Sequence, residues 1–305
     1  MTRTERARGA LLGLACGDAL GRPVEFNSAA QIEQRHDRLT EMLGHGTHGQ
    51  PPGTITDDTE MALCIARSLA ERGQFDPEDI AARFVEWYDS GPFDIGVMTA
   101  DALRQIKSGA SLDEAGQMVW EQRPEGQNAG NGSVMRCVPH ALAFADGHET
   151  LVEVSRQSSS ITHADPRCTT GCAILNSTVA GLIEGRDDAL ADSLSALHDV
   201  PAELRDALAP IPDGIEEREL ASSGYVVHTL QTALYLGLTA DSAEETIVTA
   251  VNMGDDTDTV GAVTGAVAGA RFGVDSLPDR WFEELDCEVE LRSLATTLYE
   301  DPITS

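Results

Sequence analysis

The chain has 305 residues, 51 acidic against 21 basic, a formal net charge of −30 and a pI near 4.4. Such a surface repels phosphate backbones and anionic lipid, which excludes general nucleic-acid binding and membrane association as first readings. The 41% of hydrophobic residues supports a real core, and a single lysine, Lys107, amid so much acid points to a high-salt cytoplasm, where salt screens self-repulsion.

Residues 1–21 hold only a short apolar run, broken by Cys16, Gly17 and Asp18. This is not the long apolar stretch and small-residue cleavage site of a signal peptide. A cytoplasmic chain is expected. Residues 59–72 then place Met61, Leu63, Ile65, Ala66 and Leu69 ahead of Gly73 in a helical pattern. Asp76-Pro77-Glu78-Asp79 combines an N-cap, a first-turn proline and first-turn acids. Ile80, Phe84, Trp87 and Tyr88 follow on one helical face, and Gly91-Pro92 ends it.

Residues 168–184 carry Cys168, Cys172, Leu175, Val179 and Leu182, mostly at three- and four-residue steps. The two cysteines read as packed small hydrophobes rather than a soft-metal pair. Residues 185–220, rich in proline and acid, read as a surface excursion. Residues 223–237 and 242–251 repeat the helical pattern. Gly261, Gly265 and Gly269 form a bare stripe at i, i+4 and i+8, which suggests two helices packed backbone to backbone. Strand signals are scarce, no composition break appears, and no repeat has a fixed period. The expectation is an all-α fold with residues 1–305 as one domain.

Two acidic segments adjoin apolar helices: Gly53-Thr54-Ile55-Thr56-Asp57-Asp58-Thr59-Glu60 and Gly254-Asp255-Asp256-Thr257-Asp258-Thr259. Each alone reads as helix capping, with Asp57 as N-cap and Glu60 three residues on. Together, Thr56, Asp57, Asp58, Asp256, Asp258 and Thr259 offer four carboxylates and two hydroxyls. Oxygen-only ligands suit Mg²⁺, Mn²⁺ or Ca²⁺ rather than zinc. Asp256 and Asp258 lie about 200° apart on a helix, so they converge only in the turn before it. The Gly/Asn stretch Asn128–Arg136 resembles an amide cradle for phosphate oxygens. His163 precedes a helix and reads as structural by itself. His45 and His48 sit in a glycine-rich loop without evident partners.

Taken in series, these segments resemble the ADP-ribosylglycohydrolase family. The likeness is carried by Gly9-Ala10-Leu11-Leu12-Gly13, Gly17-Asp18-Ala19-Leu20-Gly21 with Glu25-Phe26, Thr56-Asp57-Asp58-Thr59 and Pro92-Phe93-Asp94-Ile95-Gly96. It continues through Asn131-Gly132-Ser133-Val134-Met135-Arg136, Ile161-Thr162-His163, Gly224–Leu230 and Asp256-Thr257-Asp258-Thr259. It covers about residues 8 to 273, and the segments around Asp94 and Tyr225 are most similar to the dinitrogenase reductase-activating branch. The resemblance implies a compact single-domain orthogonal helical bundle around two Mg²⁺ or Mn²⁺ ions. It implies metal ligation by Thr56, Asp57, Asp58, Asp256, Asp258 and Thr259, with Glu25 facing the scissile ribose and Asp94 near an arginine acceptor. Asn131, Gly132, Ser133, Met135, Arg136 and His163 are implied as pyrophosphate and ribose contacts, and Tyr225 as a pocket residue.

Asp255 departs from the pattern, standing where a second glycine is usual, and so does His228, standing where an acid is common. The implied activity is hydrolysis of the bond from ADP-ribose to an acceptor on a modified protein. Small ADP-ribosyl compounds, nucleic-acid adducts and a silent structural scaffold are the alternatives.

Overall fold

The computed structural model describes residues 1–303, and among these it is helical without a β-sheet. The first half contains α1 (Arg3–Gly21), α2 (Ala29–His36), α3 (Asp57–Arg72), α4 (Pro77–Asp89), α5 (Val97–Lys107) and α6 (Leu112–Glu121). The middle contains α7 (Pro139–Ala143), α8 (His148–Ser160), α9 (Pro166–Ile183), α10 (Ala189–Ala196) and α11 (Ala202–Leu208). The last part contains α12 (Val226–Thr239), α13 (Ala243–Val251), α14 (Thr257–Phe272), α15 (Asp279–Phe282) and α16 (Glu288–Glu300). One hydrophobic cluster runs from Ala7 on α1 to Leu298 on α16. No helix among the described residues is long and apolar enough to cross a membrane.

The spine of the fold is α1 against α14. The glycine stripe of α14 meets a second stripe on α1. Gly9, Gly13 and Gly17 face Gly269, Gly265 and Gly261, and Gly21 faces Thr257, so the two helices run antiparallel. A Cβ added at Gly13 or Gly265 would overlap the partner's carbonyl oxygen. Only backbone fits between the axes, which is what the bare stripe in the sequence implied. α9, α12 and α13 pack around α14, and α16 packs on α1.

Helix starts follow local chemistry. The Asp76 carboxylate accepts from the Asp79 N–H at 3.0 Å, with Pro77 in the first turn of α4. Cys168 and Cys172 are fully buried on α9, as expected of small packed hydrophobes. Two expectations need correction. The N-cap of α3 is Thr56, whose hydroxyl accepts from the Asp58 N–H, and Asp57 is the first helical residue. Residues 185–220 are not simply an excursion. α10 and α11 bury Leu190, Leu204 and Leu208 against the core, because their leucines fall on one face.

Candidate active site

The antiparallel spine brings the last turn of α1 beside the first turn of α14. The Thr257 hydroxyl donates to the Gly21 carbonyl at 2.8 Å, which holds the start of α14 in place. Asp256 is the N-cap of α14 and Asp258 its second residue, so the two acids converge in the turn. Asp18, buried on α1, anchors the first acidic segment to that helix. Its carboxylate accepts from the Thr56 N–H at 3.0 Å and hydroxyl at 2.9 Å, and from the Thr59 N–H at 3.2 Å and hydroxyl at 2.5 Å. The start of α3 is thereby fixed in position against the spine. The Thr259 hydroxyl donates to Asp58 Oδ2 at 3.3 Å, joining the two acidic turns directly.

These turns border a cleft of about 590 Å³, within the size range of small-molecule sites. Among the sequence candidates, Glu25, Asp57, Asp94, Asn131, Gly132, Met135, His163, Asp256, Asp258 and Thr259 line it. Thr56 and Asp58 lie beneath, buried. The Gly96 N–H donates to Asp57 Oδ2 at 3.1 Å, which links the Asp94 segment to α3. Asn131 donates from its side-chain amide to Asp256 Oδ2 at 2.6 Å and Thr229 Oγ1 at 3.0 Å. It thus orients an acid that no cation-bearing side chain partners.

The charge in the cleft is poorly compensated by protein. Burial pushes the Asp57 carboxyl up to about 8 and Glu25 up to about 9, with the Asp94 charge adding to both. Burial also raises Asp58 and Asp258 well above the usual carboxylate range, and raises Asp256 and Asp94. Carboxylate oxygens of Glu25, Asp256 and Asp258 lie within 4.8 Å of one another. Asp58 Oδ1 is buried without a hydrogen-bond partner. An orphaned carboxylate oxygen among so many buried acids fits a hard cation.

His163 has a defined role in this architecture. Arg136 Nη2 donates to Thr162 Oγ1 at 2.6 Å, so the Thr162 hydroxyl hydrogen points to His163 Nδ1 at 2.7 Å. That assigns the neutral tautomer with hydrogen on Nε2. Burial and the Arg136 charge push the imidazole down to about 3 and keep it neutral. Gly132 is needed beside it: an added Cβ would sit 2.8 Å from His163 Cε1.

Three candidates stand behind the cleft rather than in it. The Arg136 guanidinium is buried and lies 4.5 Å from the Phe84 ring centroid, so it props Thr162 and the core. Ser133 Oγ accepts from Ser159 Oγ at 2.9 Å and faces inward. The Tyr225 hydroxyl accepts from Arg167 Nη1 at 3.3 Å and its ring packs edge-on against His228. The neighbours Ser223 and Gly224 line the cleft in its place.

Sequence reasoning missed His48, Asp18 and Arg22 as contributors. His48 does have partners: its Nε2 is 2.5 Å from Glu25 Oε2 and 3.8 Å from Asp94 Oδ2. No local pattern announced this, because the loop that carries it is ordered by a distant residue. Buried Arg22 donates to the carbonyls of Leu43, His45, Pro51 and Thr54 and holds residues 43–54 in place. Asp18 had a signal, an acid set in the apolar and glycine-rich stretch that follows Arg8 on α1. Asp255 adopts φ +59, the left-handed region where glycine is free of steric cost, which is a backbone reason for glycine at this position and puts strain on the acid that replaces it.

A model of the family described as ADP-ribosylglycohydrolase matches residues 1–304. The ADP-ribosyl-[dinitrogen reductase] glycohydrolase of Rhodospirillum rubrum is 36% identical over 94% of this chain and 92% of its own. The ADP-ribosylarginine hydrolase Tri1 of Serratia proteamaculans (strain 568) is 33% identical over 97% of this chain and 79% of its own. A solved structure titled ADP-ribosylglycohydrolase-related protein complex superposes with a TM-score of 0.83 at 34% identity, covering 98% of both chains. The chain belongs to the ADP-ribosylglycohydrolase family and is a glycosidic-bond hydrolase of ADP-ribosyl groups.

Proposed function

We propose that this family member removes ADP-ribose from arginine side chains of modified proteins, with two Mg²⁺ or Mn²⁺ ions in the acidic cluster. The observation that carries the reading is one cleft in which an all-oxygen cluster, Glu25, Asp256 and Asp258, stands beside a further carboxylate, Asp94, within 4.8 Å of Glu25. Thr56, Asp57, Asp58, Asp256, Asp258 and Thr259 would hold the ions. When bound, such ions balance the carboxylates and supply Lewis-acid stabilisation at the ribose.

The protein's own groups divide the remaining work. The His163 Nε2–H and the Gly130–Gly132 backbone bind the diphosphate side, so that remote binding energy positions the reacting carbon. Glu25 faces the ribose and takes a proton from the attacking water as oxocarbenium character develops at the anomeric carbon. Asp94 pairs with the guanidinium and steadies its departure with the bonding electrons. Glu25 hands that proton on to the departing nitrogen, so water's hydroxyl ends on the ribose and its proton on the released arginine. The core cluster from Ala7 to Leu298 supports treating residues 1–305 as one catalytic domain, and the charge of −30 supports a salt-rich cytoplasm.

The test compares ADP-ribosyl-arginine with ADP-ribosyl-serine. The arginine linkage is cleaved faster by the unmutated protein. Asp94→Asn lowers arginine turnover by about 10²-fold, the scale of a lost acid–base group. It leaves ADP-ribose binding nearly unchanged. Faster cleavage of the serine linkage sinks the assignment.

A further inference from the structure

Few large apolar side chains are exposed among the described residues; two of them, Phe26 and Val97, line the cleft, and a third, Phe93, adjoins the cleft residue Asp94. Two of the three are joined to acids in mirror order. In Glu25-Phe26 and Phe93-Asp94 the carboxylate lines the cleft while the neighbouring ring is open to water, with Phe26 71% and Phe93 40% exposed. His48 stands between them, its ring centroid 6.3 Å from that of Phe26 and 5.4 Å from that of Phe93.

The backbone enforces this exposure. Phe26 is held at φ +63, a conformation that L residues other than glycine seldom adopt. Its N–H donates to the Asp255 carbonyl at 2.7 Å, and the Asp255 N–H, also on a left-handed residue, donates to the Asn27 carbonyl at 2.7 Å. Strain of this kind persists where the surrounding structure over-determines it, and it gathers at functional sites. A ring kept in water by strained backbone, one residue from a cleft carboxylate, has no packing role.

We propose that Phe26, His48 and Phe93 form an aromatic slot that receives the acceptor arginine and sets the preference for its linkage. A guanidinium is flat and cationic. Its face stacks on aromatic rings while its edge pairs with carboxylates. Asp94 supplies that edge beside the ribose-facing Glu25, with His48 Nε2 2.5 Å from Glu25 Oε2 and 3.8 Å from Asp94 Oδ2. The arginine's methylene stem lies along the phenyl rings. An O-linked serine offers neither a flat face nor a charge, so it gains nothing from the slot. The inference rests on the arginine reading above and names the residues that would read the acceptor.

The experiment measures kcat and KM for ADP-ribosyl-arginine and ADP-ribosyl-serine, with ADP-ribose as inhibitor, in unmutated protein, Phe93→Leu, Phe93→Tyr and Phe26→Asn. Asparagine tolerates the left-handed backbone, so Phe26→Asn keeps the loop. Thermal melts verify that each variant is folded. KM for the arginine substrate rises about 10-fold in Phe93→Leu and in Phe26→Asn, and Phe93→Tyr restores it. Serine turnover and ADP-ribose inhibition stay within about two-fold, because neither linkage-independent binding nor chemistry uses the rings. Equal losses on both linkages, or a change below two-fold on arginine, overturn the slot alone. Weakened ADP-ribose inhibition also overturns it, since the rings would then be stacking on adenine. An unmutated protein that prefers serine overturns the arginine reading and the slot together.

Discussion

The α1–α14 spine and the cleft mouth obey opposite rules. Along the spine the contacts are backbone on backbone, no side chain intervenes, and both helices are buried through most of their length. At the mouth, phenylalanines face water, Phe26 and Asp255 hold left-handed backbone, and acids lie close together. The spine has almost no freedom, and so the acidic turn at the start of α14 and the Asp18 clamp on α3 are positioned to within hydrogen-bond tolerance. The mouth carries the residues that vary charge, shape and contact with a ligand. Rigid packing positions the chemistry, while strained and exposed groups select what enters.

The largest effect is expected where the spine is broken. In Gly265→Val the new side chain has only the Gly13 carbonyl to meet, and neither helix can retreat without losing its seat in the core. Overpacking of this kind costs about 1–3 kcal/mol where neighbours can move and more where backbone blocks it. Loss of a cooperative thermal transition, or of soluble protein, is expected. Gly147→Ala meets only Thr150 side-chain atoms at 3.7 Å and serves as the control, with a change within about 0.5 kcal/mol. If both variants melt alike, the spine is not the rigid element described.

Next come the acids at the end of that spine. Asp58→Asn and Asp256→Asn each lower turnover by about 10²–10³-fold, the size of losing one group that stabilises transition-state charge. Both leave the fold intact, and calorimetry reports weakened Mg²⁺ or Mn²⁺ binding. Metal-free protein that turns over at the full rate would contradict the cation reading.

A smaller effect separates the two regions by pH. Asp57 and Glu25 have folded-state values near 8 and 9, above the ordinary carboxylate range near 4. A raised carboxyl contributes stability that is complete at low pH and is lost as pH rises through the folded value. EDTA-treated protein should therefore lose Tm between pH 6 and pH 9. Mg²⁺ at 100-fold its Kd restores about 2.7 kcal/mol, most visibly at pH 8. A Tm that is flat over this window without metal would show that the acids are compensated by protein alone. The smallest expected effect is on the surface. With a net charge of −30, Tm rises by a few degrees as KCl increases from about 0.1 M to 1 M and the Debye length falls from about 10 Å to 3 Å. A flat or falling Tm would remove the high-salt reading while leaving spine and cleft untouched.

Much of this was legible because it is local. Helical periodicity, Asp76-Pro77 capping and the Gly261–Gly265–Gly269 stripe each state a short-range requirement, and the helices appear where those requirements are met. The convergence of Asp256 and Asp258 in a turn followed from helix geometry alone. The residues that were not legible act over long sequence distances. Arg22 orders a loop beginning 21 residues later, and Asp18 clamps hydroxyls 38 and 41 residues away. Arg136 and Tyr225 belong to matching motifs, yet whether a side chain turns toward a cleft or behind it depends on partners such as Thr162 and Arg167.

The sequence by itself determined the helical class, the acidic character and the two oxygen-rich turns, because periodicity, charge and ligand chemistry are carried by neighbouring residues. Only the tertiary structure decided which glycines face each other, that buried Asp18 pins the first acidic turn to α1, and that a loop histidine lies beside both Glu25 and Asp94. Those facts depend on residues brought together from distant parts of the chain, and side-chain direction at such meetings is set by packing rather than by local pattern.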